Sequence, residues 1–209
     1  MHVALIGDSI FDNAAYTRGE PDVVTHLRSL LPSSWRATLS AVDGATTGSI
    51  EAQLARIPAD VTHIVCAVGG NDALSNSDLL NTRVSSTAAA LQLFADRTDL
   101  FEDAYRRVVK AIVALKRHTT LCTIYNGALP PDQARIARVA LTTFNDVILR
   151  VAFQRALSVI ELRAVCCEAA DYANPIEPSG AGGRKIARAI ATAVGALGGT
   201  TPASRVFVG

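Results

Sequence analysis

One pattern constrains this chain more than any other. Short apolar runs rich in β-branched residues alternate, from one end to the other, with longer runs of helical periodicity. The strand candidates are HVALIG (2–7), ATLSAV (37–42), THIVCAVG (62–69), TTLCTIY (119–125) and SVIELRAV (158–165). Each is apolar on both faces or nearly so, which is what a parallel strand needs when helices cover both sides of its sheet. Repeated strand–helix alternation therefore predicts an α/β fold: a doubly wound, mainly parallel five-stranded sheet flanked by helices.

The helical runs are of uneven clarity. Over 132–155 the apolar or small positions Ile136, Val139, Ala140, Thr143, Phe144, Val147, Ile148 and Val151 follow three- and four-residue spacing. Pro130-Pro131 suits the start of that helix. A second helix over about 100–117 aligns Phe101, Tyr105, Val108, Ile112 and Leu115, and others are expected at 22–31, 47–57 and 183–197. Residues 73–86, with scattered Ser, Asn and Asp, read as a surface loop or short helix. The expected organisation is one domain over 1–198 and a C-terminal tail over 199–209, where periodicity stops.

At 209 residues the chain is long enough to bury a substantial core. A formal net charge of +1, with no Lys/Arg block, gives no footing for nucleic acid or an anionic membrane surface. No apolar stretch approaches the roughly 20 residues that span a bilayer. MHVALIGDS has no basic flank or cleavage site, so it reads as a first strand and not as a signal peptide. Cys66, Cys122, Cys166 and Cys167 lack metal-binding spacing and read as thiols in a reduced, cytoplasmic setting. No cofactor is implied.

In doubly wound sheets, ligands sit beyond the carboxyl ends of the strands, so chemistry is sought there. After the first strand comes Gly7-Asp8-Ser9, after the second Asp43-Gly44-Ala45-Thr46-Thr47, and after the third Gly69-Gly70-Asn71-Asp72. The loop before the last helix holds Asn174 and Glu177. Singly these are weak signals: a serine near a helix start is commonly a cap, and Gly-Gly-Asn-Asp is a common turn. Each placed after its own strand, they become specific.

With these blocks in order, the chain resembles the SGNH hydrolases, the GDSL lipase/acylhydrolase family, whose fold is flavodoxin-like. Ser9 in GDSI matches the nucleophile, Gly44 in VDGATT the block whose backbone N–H helps hold an oxyanion, and Asn71 in GGND the block whose side-chain amide does so. The resemblance implies hydrolysis of small acyl esters. Acyl transfer needs a nucleophile, a base and donors aimed at developing negative charge. Ser9, the N–H groups of Ser9 and Gly44, and the Asn71 amide supply the first and the last. Asp8 is expected to brace the turn, with Asp72 in support.

The fourth block departs from the family. Where the resemblance implies Asp-x-x-His, this chain reads Asn174-Pro175-Ile176-Glu177-Pro178-Ser179. His2, His63 and His118 begin strands or precede them, at the wrong edge of the sheet, and His26 falls within an early helix. Glu177 is then the candidate base, with Asn174 hydrogen-bonding to orient it. A glutamate is the weaker base by about 3 kcal/mol of proton affinity, which burial would reduce and the start of the last helix would increase. Against this stands a plain structural role: Glu177 pairing with the helix dipole, Arg184 or Lys185.

Two functions follow. One is a serine esterase using Glu177 as base on a small ester. The other is a catalytically impaired relative that binds a small ligand without turnover. A nucleotide site at Gly180-Ala181-Gly182-Gly183 is a weaker third reading, because no G-x-G-x-x-G follows the first strand. Oligomeric state is not legible.

Overall fold

The computed structural model describes residues 1–197 and residue 206. The expected tail therefore lies, apart from residue 206, outside the described residues. Five strands, β1 (His2–Gly7), β2 (Arg36–Leu39), β3 (His63–Ala67), β4 (His118–Cys122) and β5 (Ser158–Ile160), form one sheet in the order β2-β1-β3-β4-β5. Every neighbouring pair is parallel. The order reverses between β1 and β3, and a crevice opens above the carboxyl ends of such a switch point. Gly7 pairs with Ala67 across that point, so the segments bearing Ser9 and Asn71 leave the sheet side by side.

Two-faced apolar strands are explained by two cores. Val3 and Leu5 of β1 pack with α1 (Val23–Leu30) and α7 (Gly180–Ala193), while Ala4 and Ile6 face the opposite layer. That layer is α2 (Ile50–Leu54), α4 (Thr87–Ala114) and α5 (Pro131–Gln154). α3 (Gly70–Leu74) and α6 (Leu162–Val165) are single-turn elements at the ends of β3 and β5.

Three boundaries differ from the sequence reading. The run 158–165 is two elements: β5 stops at Ile160, and the Glu161 carboxylate accepts from Arg163 N–H to start α6. Within 73–86 lie the end of α3, a 3-10 turn at Ser77–Asn81 and extended backbone. α4 begins at Thr87, not near 100, with the Ser86 hydroxyl accepting from Ala89 N–H. Its half before Phe101 contains no buried residue, so no core-facing stripe betrays it in the sequence. Ile136 and Val139, expected on a buried stripe, are 55% and 67% exposed, because the buried part of α5 begins at Phe144.

These exposures define the architecture around the site. At 28 residues α4 is about 42 Å long, whereas a five-residue strand spans about 17 Å. α4 leads down into the start of β4 and α5 rises from its end, so both helices begin on the carboxyl side of the sheet. Their unburied N-terminal halves project beyond it there. Among the described residues, no helix is long and apolar enough to cross a membrane.

The turn carrying Ser9 is held by a residue the sequence does not advertise. Gly7 has φ +131°, a conformation suited to glycine, and a Cβ there would run into the Ala67 carbonyl. Gln53, fully buried on α2, accepts from Gly7 N–H at 2.7 Å and donates to Gly7 O at 2.8 Å. Gln53→Leu strands both backbone groups, and a loss of about 2–4 kcal/mol is expected from two unpaired buried partners. Urea unfolding measures it, and a change below half of that would deny the pair a structural role.

Candidate active site

Four chain segments converge above the switch point. Ser9 follows β1 and is 7% exposed, and Glu177, also 7% exposed, reaches it from the loop before α7. The Ser9 hydroxyl donates to Glu177 Oε1 at 3.1 Å across 168 positions of sequence. The other carboxylate oxygen, Oε2, is buried with no hydrogen-bond partner among the described residues.

The Glu177 loop is clamped on all sides. Tyr172 and Pro178 form an antiparallel bridge, and Ala173 N–H donates to Glu177 O at 2.8 Å. The Tyr125 hydroxyl donates to Ile176 O at 2.6 Å, and the Asn13 amide donates to Pro178 O at 3.2 Å. Asn174 Oδ1 accepts from Ile176 N–H and Glu177 N–H, both at 2.9 Å. Asn174 thus shapes the turn and touches Glu177 through its backbone, not through the carboxylate as the sequence reading had it. Tyr125 and Asn13 had no signal in the sequence, since both act through distant loops.

Lys185 pairs with Glu168 and Asp171, which removes it as a partner for Glu177. The four histidines stay away: His2 bonds Asp60 and Thr38, His63 stacks on His118 at 4.7 Å, and His26 lies on α1.

Burial raises the Glu177 pKa above the usual glutamate value. The Ser9 hydrogen bond opposes the rise and the negative charge of Asp43 adds to it. Desolvation of the charged form therefore prevails, and it makes Glu177 a better base than a free glutamate. The start of α7 is capped by the Ser179 hydroxyl, which accepts from Gly182 N–H at 3.2 Å, and the Glu20 carboxylate lies beside Gly180.

On the other side of Ser9, Gly44 adopts φ +76°, and Ala45 N–H closes the turn onto Val42 O. The Asn71 amide donates to Ala45 O at 2.9 Å, and its second N–H has no partner among the described residues. Asp72 accepts from Thr47 N–H at 3.0 Å and from the Thr47 hydroxyl at 2.6 Å, tying the Gly44 loop to the end of β3. Among the described residues, the Ser9 and Gly44 N–H groups donate to no protein acceptor.

Asp8 is 2% exposed, and its Oδ1 accepts from Ile10 N–H at 3.1 Å, bracing the turn as expected. Its Oδ2 is buried without a partner among the described residues. Burial lifts its pKa from 3.8 to about 7; the Ile10 bond opposes this, and the charges of Glu177 and Asp72 add to it. Because the folded pKa is raised, the native state keeps a proton that the unfolded chain releases above pH about 4. Stability therefore falls as pH rises from about 4 to about 7, by at most about 4 kcal/mol. Asp8→Asn abolishes that loss, so its urea midpoint should exceed the wild type's at pH 8, with the gap closing toward pH 4. A gap independent of pH would contradict the assignment.

Ser9, Asn71 and Glu177 open into a cleft of about 140 Å³. Its walls are mostly apolar, with Ile10, Leu80, Phe94, Ile124, Leu141 and Phe144 among them, and Asn76 and Asn126 add polar spots. The loops at 10–20, 73–86 and 126–131 each contribute to the lining, and α4 and α5 supply further residues. Away from the cleft the edge is polar: the Tyr16 hydroxyl donates to Asp43 at 2.6 Å, and Asp12 accepts from Asp43 N–H at 3.0 Å.

A five-stranded parallel sheet in this order, with serine, glycine and asparagine blocks gathered at its carboxyl edge, defines the SGNH hydrolase fold. The chain belongs to the GDSL-like Lipase/Acylhydrolase family, whose model matches residues 5–185. Solved structures agree on the fold. A variant of an acetyl xylan esterase from Geobacillus stearothermophilus is 19% identical, with a TM-score of 0.69 over 96% of this chain and 97% of that one. An extracellular lipase from Streptomyces rimosus is 16% identical, with a TM-score of 0.65 over 92% and 99%. A phospholipase A1 from Streptomyces albidoflavus is 15% identical, with a TM-score of 0.67 over 92% and 98%. No curated protein matches the sequence. Ester hydrolysis is the activity of the family and of these neighbours.

Proposed function

We propose that this protein is a serine ester hydrolase in which Glu177 replaces the histidine base. The observation that carries this reading is the buried hydrogen bond from Ser9 Oγ to Glu177 Oε1 at 3.1 Å. Glu177 takes the Ser9 proton as Oγ bonds to the ester carbonyl carbon, and the carbonyl oxygen becomes an oxyanion. The Ser9 and Gly44 N–H groups and the free N–H of Asn71 stabilise that charge. The C–O bond to the alcohol then breaks, and Glu177 returns the proton to the departing alkoxide. A water next gives its proton to Glu177 and attacks the acyl-serine, and Ser9 leaves with the proton restored.

Because Glu177 must be ionised to act, activity is lost as pH falls through its folded pKa. That limb lies above the usual glutamate range, since burial raises the value. All four cysteines are free thiols, three of them buried, which supports the cytoplasmic setting of this proposal.

The test is labelling with a fluorophosphonate probe from pH 5 to 9 in the wild type, Ser9→Ala and Glu177→Gln. An adduct on Ser9 that collapses in Glu177→Gln is expected. No adduct at any pH would return the protein to a ligand-binding role, and labelling indifferent to Glu177 would place the base elsewhere.

A further inference from the structure

The cleft beside Ser9, at about 140 Å³, exceeds an acetyl group and is walled mostly by hydrocarbon. Ile124 and Phe144 line it at the sheet, and the projecting halves of α4 and α5 extend it outward through Phe94 and Leu141. Its mouth is apolar too: Leu74, Leu80 and Ile176 line it and are 47%, 44% and 37% exposed. Among the described residues no Lys, Arg or His lines it, and its two carboxylates, Asp8 and Glu177, sit beside the nucleophile. A sugar ring would leave its hydroxyls largely unpaired there, whereas a hydrocarbon chain needs no partners.

Two sides of the ester must be assigned to two surroundings. During turnover the acyl group stays on Ser9 while the alcohol leaves and water takes its place. The exchanging side belongs where water has access. That is the polar edge of Tyr16, Asp12 and Asp43, whose negative charge Glu177 feels. The dry cleft belongs to the group that stays. Ala137 and Ala140 of α5 line the cleft together with Phe94 of α4, and their small side chains leave room where the two helices border it.

Resting on the ester-hydrolase reading above, we propose that the cleft is an acyl channel for an unbranched aliphatic chain of medium length, with Ala137 and Ala140 setting its bore. An acetyl methyl would leave most of the channel unfilled. Each methylene fully removed from water is worth about fourfold in kcat/KM, and about twofold in a half-open channel. Going from acetate to octanoate then gives a rise of about sixtyfold.

The experiment is a series of p-nitrophenyl esters from acetate to dodecanoate, run beside a series of acetates of lengthening alcohols, with fluorophosphonate labelling of Ser9 in parallel. Expected are a climb with acyl length to about eight carbons and little dependence on the alcohol. In Ala140→Phe, and independently in Ala137→Phe, the octanoate-to-acetate ratio should fall tenfold or more, with far-ultraviolet circular dichroism reporting the fold. Labelling with a flat acyl series, or a climb with the alcohol alone, would overturn the channel and leave the esterase standing. Neither labelling nor turnover would overturn the esterase itself and the channel with it.

Discussion

Glu177→Gln is expected to lower kcat/KM for an activated ester by about a thousandfold, within the range of 10²–10⁴ for a positioned general base. Glutamine keeps the size of the side chain and can still bond the Ser9 hydroxyl, but it cannot take the proton. No pH between 5 and 9 should restore the rate, because what is missing is a basic site and not its ionisation. Glu177→Asp withdraws the carboxylate by one methylene from a contact of 3.1 Å and should lose much of the same rate. In Glu177→Ala, added formate should restore part of the activity by supplying a carboxylate of the right size. Stability should move the other way. The Glu177 carboxylate is buried, and among the described residues Ser9 is its one hydrogen-bond partner and Oε2 has none. Glutamine removes the cost of keeping that charge out of water, so the thermal midpoint of Glu177→Gln should equal or exceed that of the wild type. Lost activity with lowered stability would mark Glu177 as a structural residue instead.

The sequence exposed the fold because β1 and β3 must bury both faces, and a strand that does so has no alternative to hydrophobic residues throughout. It exposed Ser9, Gly44 and Asn71 because each follows a strand and the topology brings strand ends together. The rest was hidden for physical reasons. Gln53 and Asn145 are polar residues on helices, buried because each pairs with one backbone site: Gln53 with Gly7, and Asn145 with Ile124 N–H at 2.7 Å and Ile124 O at 2.9 Å. Nothing local distinguishes them from surface amides. The first half of α4 escaped notice because periodicity reports contact with a core, and that half has none. Ile136 and Val139 misled for the opposite reason: their spacing is helical, but the stripe they extend has left the sheet. The cleft follows from these two departures, so its apolar character was not legible either.

Asn71→Ala should cost about 10²–10³ in kcat, the usual loss for one oxyanion donor, with KM changed little. The split follows from timing: in the proposed mechanism the amide would meet an almost neutral carbonyl in the bound ester and a full negative charge in the transition state. Its orientation is restrained, since one of its N–H groups is held by Ala45 O at 2.9 Å. The same bond joins the Asn71 segment to the Gly44 loop, so the alanine variant raises a second possibility, that the loop drifts and takes the Gly44 N–H with it. Asp72 separates the two causes. It grips Thr47 N–H and the Thr47 hydroxyl, which secures the loop without Asn71. If the loss is that of a single donor, Asn71→Ala labels with fluorophosphonate only slowly but retains its fold. Asn71→Asp should then be worse than alanine, because a carboxylate would face both the oxyanion and the Ala45 carbonyl. A carboxylate variant more active than the alanine one would show that loop position, and not donation to the oxyanion, is what Asn71 supplies.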